Sequence, residues 1–386
     1  MMDISYDAID VRFGELLLKG RNLGRFIDML KGNIKSALSS EDYEKIVQNR
    51  DRFLIMLSDK SNTNRIIERL RYIPGVSIIS PIIFTDPNIN SIITASAKFK
   101  FKNGSVRIEA HRSDKSHAFN SKDIISAFIK NQGKNKFEID KNGIHTLYVN
   151  LMRDKALLYI KRIKGIGGLP VGSSGNCALL LSGGIDSPVA SIMAMRRGLY
   201  PIYLHFHAFS TKKEIENSKI PKLLLLLSKY SKTSEVYYIP SHLFIAATSK
   251  IPESYELVLF KRFMYKLAER ICSKHDINTI ITGESIGQVA SQTIDNMLAS
   301  QKGIDKLILR PLAGMDKDEI IKLARQMETF EISIKPYREV CSMKIKNPGT
   351  KIPSKIIDRL YKNCKLDECI IETEKRIKKA TLRSIR

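Results

Sequence analysis

The segment Ser182-Gly183-Gly184-Ile185-Asp186-Ser187-Pro188 constrains the fold of this chain more than any other. It follows the apolar run Ala178 to Leu181 and precedes the helix-compatible segment Val189 to Arg197, so it predicts a strand, a tight turn and the start of a helix. Two adjacent glycines let a backbone bend and approach a ligand closely, and the unpaired N–H groups at a helix start can donate to an anion. The segment is therefore predicted to hold a phosphate group. The alternative is an ordinary Gly-Gly turn capped by Ser or Asp.

Strands alternate with helices after this segment, which is typical of a doubly wound parallel sheet. The strand candidates are Ala178 to Leu181, Pro201 to Phe209, Glu235 to Ile239, Thr279 to Thr282 and Lys306 to Leu309. The helix candidates are Ser187 to Arg197, Lys212 to Tyr230, Glu256 to Lys274 and Lys317 to Met327, the last with Asp316 and Glu319 as a capping box. Ligands bind at the carboxyl ends of strands in such sheets. The Ser182 loop, the end of the His205 strand and Gly283 are therefore predicted to converge on one nucleotide.

The first 165 residues have the pattern of two small α+β units. Strands are predicted at Asp7 to Arg12, Phe53 to Leu57, Val76 to Phe84, Ser105 to His111, His145 to Met152 and Ala156 to Ile163. Helices are predicted at Asn22 to Ala37, Asn64 to Tyr72, Ile92 to Phe99 and Ser121 to Asn131. Pro74-Gly75 separates the two units as a turn, and the glycine-rich stretch 166–175 is the clearest domain boundary.

The charge of the chain points to a polyanionic partner. Its 386 residues carry a formal net charge of +24, with 43% hydrophobic and 27% charged residues, as in globular proteins. Residues 1–165 hold 29 Lys+Arg against 18 Asp+Glu, and the rest hold 35 against 22, so both halves are basic. Charge spread over several domains favours nucleic acid. A generally lysine-rich surface is the alternative, and charge alone does not decide between them.

No targeting or membrane signal is recognisable, so the chain is expected to be cytoplasmic and without a membrane partner. Asp3, Asp7 and Asp10 interrupt any apolar region at the start, and the run Leu223 to Leu227 is too short to span a bilayer. The 5 cysteines include no CxxC pair and are expected to be reduced thiols.

Several separated segments resemble one family, the tRNA 4-thiouridine synthetases, in a form without a rhodanese domain. The matching segments are Arg12 to Gly20, Arg112 to Phe119, Gly165 to Gly172, the Ser182 loop, Tyr203 to His207, Thr282 to Thr293, Arg310 to Asp316 and Glu339 to Cys341. The resemblance implies an N-terminal ferredoxin-like domain at 1–75, a THUMP RNA-binding domain at 76–165, a linker at 166–175 and an ATP pyrophosphatase (PP-loop) domain at 176–386.

The resemblance also implies a reaction. ATP adenylates O4 of uridine 8 in tRNA, with release of pyrophosphate, and sulfur then displaces AMP to give 4-thiouridine. The order is chemically required, because the oxygen at C4 leaves poorly until it is esterified to a phosphate. Mg²⁺ is expected as the cation that offsets the charge of the departing pyrophosphate, although no metal ligand is assigned.

The resemblance places one group of residues around ATP: Leu180, Leu181, Ser182, Gly183, Gly184, Asp186, Ser187, His205, Phe206, Lys261, Gly283 and Gln292. Asp186 is also the expected essential acid, and a helix N-cap is its structural alternative. Leu180 and Leu181 are equally expected in a strand core. A solvated helix-face lysine is the alternative for Lys261.

Cys341 is the residue that the resemblance implies for sulfur chemistry, either carrying sulfur or forming a disulfide as a persulfide gives up its terminal sulfur. A buried structural cysteine is the alternative, and it fits Cys177 better. Some relatives place a CxxC that helps to hold an iron–sulfur cluster near Cys272, but here Glu269 and His275 stand at the partner positions, which argues against such a cluster. Cys364 and Cys369 are expected on helix faces, and a contribution to such a cluster is their alternative.

Many relatives continue into a rhodanese domain, which does not follow Arg386 in this sequence. Sulfur is therefore expected from a cysteine desulfurase, another carrier or free sulfide. The lack of a rhodanese domain in this sequence also argues against a role in forming the thiazole of thiamine.

The resemblance places RNA binding in the second unit. Arg112 and Lys115 are the predicted phosphate contacts, and Phe119 is either a stacking group or a core aromatic. Arg12, Lys19, Arg21 and Arg25 extend the predicted basic surface. Relatives that act as dimers imply a homodimer in which a second protomer brings uridine 8 to ATP.

Two other functions are compatible with parts of the sequence. One is a tRNA-binding scaffold with a non-catalytic nucleotide domain, which the intact Ser182 loop and Cys341 disfavour. The other is an ATP-dependent synthetase acting on a small molecule, which leaves residues 1–165 unexplained.

Overall fold

The computed structural model describes residues 4–40, 42–49, 51–59, 62–114, 116–131, 137–209, 211–231, 233–336 and 349–383. The chain forms two compact units, one comprising 1–24 and 34–168, the other 25–33 and 169–386. Among the described residues, none of the helices combines the length and the apolar character needed to cross a bilayer.

The first unit is built on one mixed sheet. Its strands are β1 (Ala8–Arg12), β2 (Tyr43–Gln48), β3 (Arg52–Leu57), β4 (Ile78–Thr85), β5 (Val106–Arg112), β6 (His145–Leu151), β7 (Ala156–Tyr159) and β8 (Ile163–Lys164). Their order is β2-β3-β1-β4-β7-β6-β5, and β8 pairs with β4. The helices are α1 (Leu23–Ala37), which is shared between the two units, α2 (Thr63–Leu70), α3 (Ile89–Ser96) and α4 (Ser121–Lys130), and a 3-10 helix spans Glu15–Asn22.

The period-2 pattern of these strands explains their core. Alternate residues such as Leu147, Val149 and Leu151 on β6 are buried against Ile92 of α3 and Phe128 of α4. Strand β4 pairs with β1 on one side and with β7 on the other, so the sheet continues across the turn at Pro74-Gly75.

Most predicted elements of this unit are present, within a few residues of the predicted bounds. The predicted strand Ala156 to Ile163 is interrupted into β7 and β8, and neither β2 nor the 3-10 helix Glu15–Asn22 was predicted. The sequence of β2 shows little alternation of apolar and polar residues, because the strand lies at the edge of the sheet and its side chains are exposed or half-buried.

The second unit contains the expected doubly wound sheet. Its strands are β9 (Asn176–Leu180), β10 (Tyr200–His207), β11 (Thr233–Pro240), β12 (Thr279–Ile281), β13 (Leu307–Leu309) and β14 (Lys378–Arg383), in the order β13-β12-β9-β10-β11-β14. All neighbouring pairs are parallel except β11 with β14. Strand order therefore reverses between β9 and β12, and this switch point is where such sheets bind ligands.

The helices of this unit are α5 (Asp186–Arg196), α6 (Lys212–Glu216), α7 (Ile220–Leu227), α8 (His242–Thr248), α9 (Glu253–Lys274), α10 (Ile294–Gln301), α11 (Lys317–Gln326), α12 (Phe330–Ser333), α13 (Ser354–Asn363) and α14 (Leu366–Glu374). The long helix α9 packs Phe260, Phe263 and Leu267 into the main core. The capping box of Asp316 and Glu319 is confirmed at the start of α11.

One prediction for this unit was wrong. The single helix expected from Lys212 to Tyr230 is two helices, because Pro221 has no N–H to donate and is tolerated only in the first turn of α7. Strand β14 was not predicted, and its lysines are typical of a protected sheet edge.

Candidate active site

The loop between β9 and α5 is held closed by its two serines. The hydroxyl of Ser187 accepts a hydrogen bond from the Ser182 amide at 2.8 Å and lies 3.0 Å from the Ser182 hydroxyl, which accepts from the Gly184 amide at 3.2 Å. Neither Gly183 nor Gly184 has a left-handed φ. A left-handed turn is therefore not what requires glycine at these two positions.

Helix α5 begins at Asp186, with Ile185 as its N-cap and no side-chain capping bond. The N-cap alternative for Asp186 was therefore wrong, because its carboxylate is used elsewhere. Without a side-chain cap, the first-turn amides of α5 have no side-chain acceptor and can donate to an anion in this loop.

The Asp186 carboxylate is fixed by two partners that are distant in sequence. Lys317 Nζ lies 2.7 Å from Oδ1, and Gln288 Nε2 donates to Oδ2 at 3.0 Å. Lys317 is the first residue of α11, directly after its cap Asp316. Sequence reasoning did not identify Lys317 as a site residue, although the predicted start of α11 pointed to its position.

Gly283 brings the loop after β12 against the first turn of α5. A Cβ at this position would lie 2.7 Å from the Ser187 amide nitrogen and 2.8 Å from the Asp186 carbonyl carbon. Any side chain would push these two segments apart, so only glycine allows their contact.

The end of β10 is attached to the end of β9 through a neutral histidine. Burial lowers the pKa of His205 to about 4, although its bond to the Leu181 carbonyl favours protonation. A carbonyl oxygen only accepts, so Nδ1 carries the proton and donates across 2.8 Å. The next residue, Phe206, meets Phe260 and Phe263 of α9 edge to face.

A buried carboxylate, Glu284, connects three elements at the same edge of the sheet. It accepts from Lys261 Nζ at 2.7 Å, from the Tyr265 hydroxyl at 2.7 Å and from Arg310 Nε at 2.8 Å. Burial alone would raise the pKa of Glu284, but Lys261 and Arg310 outweigh it and hold that pKa at about 2. The solvated alternative for Lys261 was wrong, since this lysine is only 8% exposed.

These segments enclose a cavity of about 410 Å³. All predicted ATP-binding residues except Gly184 line it: Leu180, Leu181, Ser182, Gly183, Asp186, Ser187, His205, Phe206, Lys261, Gly283 and Gln292. The remaining lining residues were not predicted: Leu204, Leu257, Phe260, Met264, Tyr265, Thr282, Glu284, Gln288, Val289 and Ser291. The Ser182 loop, the end of β10 and Gly283 therefore meet at one cavity, and that they hold a nucleotide stays a prediction. Apolar rings and aliphatic side chains form one part of the wall and polar groups the other, which suits a nucleotide.

The cysteines of the described part of the chain lie apart from this cavity lining. Cys177 and Cys272 are buried, and burial raises the pKa of Cys272 to about 12, so both resemble structural thiols. Cys364 and Cys369 are half-buried. Within the described residues, no group of three or more His, Cys, Asp or Glu side chains is placed to hold a metal ion. Cys341 falls outside the described residues.

The predicted RNA-contact segment is ordered by Arg112. Its guanidinium donates to the carbonyls of His117 and Phe119, both at 3.2 Å. The Phe119 ring packs against the core, which agrees with the core-aromatic alternative and not with a stacking group. Lys115 falls outside the described residues. Arg12 is engaged as well, with Asp10 at 2.9 Å and the Tyr159 hydroxyl at 2.8 Å, so it adds little free charge to the surface.

Comparison with known proteins agrees with this architecture. A family model described as thiamine biosynthesis protein (ThiI) matches residues 172–366, and one described as the ThiI ferredoxin-like domain matches residues 8–80. A protein from Thermoanaerobacter sp. (strain X514) named "Probable tRNA sulfurtransferase" is 35% identical over 352 residues, covering 89% of this chain and 92% of the relative. One of the same name from Macrococcus caseolyticus is 34% identical over 357 residues, covering 90% and 89%.

The structural comparison covers the chain from end to end. A crystal structure of a 4-thiouridine synthetase–RNA complex with bound ATP superimposes with a TM-score of 0.86 at 28% identity, covering 98% of this chain and 100% of the other. With an N-terminal ferredoxin-like region, a PP-loop region built on a doubly wound sheet and relatives aligned over most of its length, this chain belongs to the ThiI family.

Proposed function

We propose that this chain is an ATP-dependent tRNA sulfurtransferase that converts uridine 8 of tRNA to 4-thiouridine, with release of AMP and pyrophosphate. Support comes from the relatives named tRNA sulfurtransferase and from the similar 4-thiouridine synthetase, which was crystallised with RNA and ATP. The observation that carries the proposal is the cavity at the switch point, where the Ser182 loop, His205 and Gly283 meet.

ATP binds in this cavity with its phosphates at the start of α5. The first-turn amides and the Ser182 loop hold the phosphate oxygens, while Leu180, Leu181 and Phe206 contact the adenosine. Lys261 supplies positive charge at the cavity wall. The side-chain amide of Gln292 donates a hydrogen bond to the nucleoside or accepts one from it. Lys317, next to Asp186, places a second ammonium where the leaving pyrophosphate gathers charge.

Mg²⁺ fits this site when substrate phosphates supply part of its coordination, as is typical of nucleotide enzymes. The carboxylates that line the cavity are Asp186, which accepts from two side chains, and Glu284, which is buried and accepts from three. Mg²⁺ commonly takes one or two carboxylates together with substrate phosphates. Asp186 is therefore the residue that would hold the ion, and the ion would neutralise phosphate charge when bound.

The reaction proceeds in two displacements. O4 of the uracil attacks the α-phosphorus, the bond to the bridging oxygen breaks with pyrophosphate as leaving group, and the N3 proton is lost. A sulfur nucleophile then adds at C4 and the C4–O bond breaks, with AMP as leaving group. When the donor is a persulfide, its terminal sulfur displaces AMP and remains bonded to the donor. The Cys341 thiolate then attacks the inner donor sulfur, so that a disulfide forms, the donor S–S bond breaks and the 4-thiouridine sulfur is the leaving group. When the donor is sulfide, no cysteine is required.

We assign tRNA binding to the N-terminal regions, with boundaries at 75 and 165 for the ferredoxin-like and THUMP domains. Arg112 donates to the carbonyls of His117 and Phe119, so its contribution combines loop ordering with phosphate contact, and Lys115 is assigned a second phosphate contact. A homodimer and a separate sulfur donor complete the proposed system, which acts in the cytoplasm.

The test is direct. The purified chain is incubated with ATP, Mg²⁺, sulfide and a tRNA transcript, and 4-thiouridine is detected by its near-ultraviolet absorbance and by mass spectrometry. A matched transcript with cytidine at position 8 is the control. Thiolation of the first transcript alone supports the proposal, and absence of thiolation in both contradicts it.

A further inference from the structure

The buried carboxylate of Glu284 lies in the middle of the site. None of the proposed nucleotide contacts explains why a carboxylate is there. It is 5% exposed and follows Gly283, the residue pressed against α5. Its partners come from helix α9, through Lys261 and Tyr265, and from the end of β13, through Arg310. A single side chain thus couples the Gly283 loop to two further elements.

The hydrogen bonds of Lys261 leave room for a ligand. Its ammonium has three N–H donors. One reaches Glu284 Oε1 at 2.7 Å and one the Ser291 carbonyl at 3.2 Å. Both acceptors are protein groups, and Lys261 lines the cavity. Among the described residues no acceptor is seen for the third N–H, so the two protein bonds orient the ammonium while one donor is left for an anion.

The charges around Glu284 do not cancel. Lys261 and Arg310 bring two positive charges to one carboxylate, and Tyr265 adds a neutral donor. The cluster therefore carries one net positive charge, which favours a phosphate. Without the carboxylate, two cations would share a buried site, and both desolvation and mutual repulsion would favour loss of the lysine proton.

We propose that Glu284 is a positioning residue for ATP binding that aims the Lys261 ammonium at the cavity. This inference rests on the proposed use of ATP. Tyr265 and Arg310 fix the carboxylate from its other oxygen, so that the Lys261 position is set before the nucleotide arrives. Such preorganisation reduces the entropy that binding would otherwise lose.

The experiment measures binding of the non-cleavable analogue α,β-methylene ATP by calorimetry, so no thiolation is needed. E284Q keeps the size of the side chain but removes its charge. The affinity of E284Q relative to the wild type is expected to fall about tenfold near pH 8.5 and only about twofold near pH 6.5, because the uncompensated lysine loses its proton as pH rises. E269Q is the matched control, since Glu269 pairs with Lys266 at 3.0 Å on the same helix outside the cavity lining.

Two further variants separate charge from structure. E284D keeps the charge of the side chain. Its affinity for the analogue relative to the wild type is therefore expected to be the same at both pH values. In the double variant with E284Q and K261R, the arginine guanidinium stays charged at both pH values. Its affinity for the analogue relative to the wild type should then be the same at both pH values, however large the loss of affinity is. A purely structural role would weaken binding equally at both pH values in every variant.

The outcomes are distinguishable. If the wild type does not bind the analogue, the proposed function fails and this inference fails with it. If the wild type binds and E284Q matches it at both pH values, only the inference is overturned. Should E284Q not fold, K261M decides instead: unchanged affinity in this variant overturns the inference, and a pH-independent loss supports it.

Discussion

Lys317 Nζ lies 2.7 Å from Asp186 Oδ1 although 131 positions separate them in the chain. The ion pair joins the first residue of α11 to the first residue of α5, so two helix starts meet beside the Ser182 loop. The uncapped amides at the start of α5, together with the Lys317 ammonium, make this corner of the second unit suited to phosphate.

K317M tests that arrangement. The variant removes the positive charge while keeping a chain of similar length, and thiolation turnover is expected to fall on the order of a hundredfold, as for loss of one group that stabilises transition-state charge. The measurement is kcat for 4-thiouridine formation at saturating ATP. K322M is the matched control, because Lys322 is an exposed lysine on the same helix. Equal turnover of K317M and K322M would remove Lys317 from the mechanism.

G283A tests the close packing of the Gly283 loop on α5. The new methyl group would lie 2.7 Å from the Ser187 amide nitrogen, so the loop must shift, and kcat/KM for ATP is expected to fall on the order of a hundredfold. G314A is the control, since a Cβ at Gly314 meets nothing within 4 Å. Full activity of G283A would show that the contact does not matter for the site.

His205 predicts a pH dependence of stability. Its pKa is about 4 in the folded chain against about 6.5 when unfolded, so between these values the unfolded state binds more protons and stability falls as pH decreases. At about 1.4 kcal/mol for each pH unit, roughly 3 kcal/mol of unfolding free energy is lost from pH 6.5 to 4. Urea unfolding of the wild type and H205N at several pH values measures this loss, and H205N should lose roughly 3 kcal/mol less unfolding free energy than the wild type between pH 6.5 and 4. Parallel slopes would contradict a buried neutral His205.

C341S tests the assignment of sulfur transfer. Persulfide-driven thiolation is expected to disappear in this variant while sulfide-driven thiolation continues, because only the first route needs a thiol to close a disulfide. C272A is the control: Cys272 is buried, and burial raises the pKa of its thiol to about 12, so its loss should affect stability by about 1 kcal/mol and leave the chemistry intact. If C341S is active with a persulfide donor, another group must accept the sulfur.

The cavity could be anticipated from sequence because its loops follow strands whose pattern is strong. The apolar run before Ser182 and the helix after it define one loop, and the end of β10 defines another. The parallel topology then brings their carboxyl ends together. The Asp316 cap could be predicted for the same reason, as its partner Glu319 lies only three residues away.

The contacts that complete the site could not be predicted this way. Pairing of Lys317 with Asp186, and of Glu284 with Arg310, depends on where separate elements lie in space, and local pattern contains no such information. For Lys261, the resemblance predicted a site residue but the local pattern left an exposed helix lysine as the alternative, since nothing adjacent in sequence shows that Glu284 will pair with it. Strand β14 was hidden for a related reason: an edge strand with exposed lysines has the composition of a solvated tail.

The most direct test of the account follows the oxygen atom at C4. A tRNA with ¹⁸O at C4 of uridine 8 is thiolated by the wild-type chain with ATP and sulfide, and the AMP is analysed by mass spectrometry. Adenylation of O4 predicts one ¹⁸O in the phosphate of AMP for each 4-thiouridine formed. AMP without the isotope, alongside thiolated tRNA, would contradict the central claim that the cavity activates the uracil carbonyl.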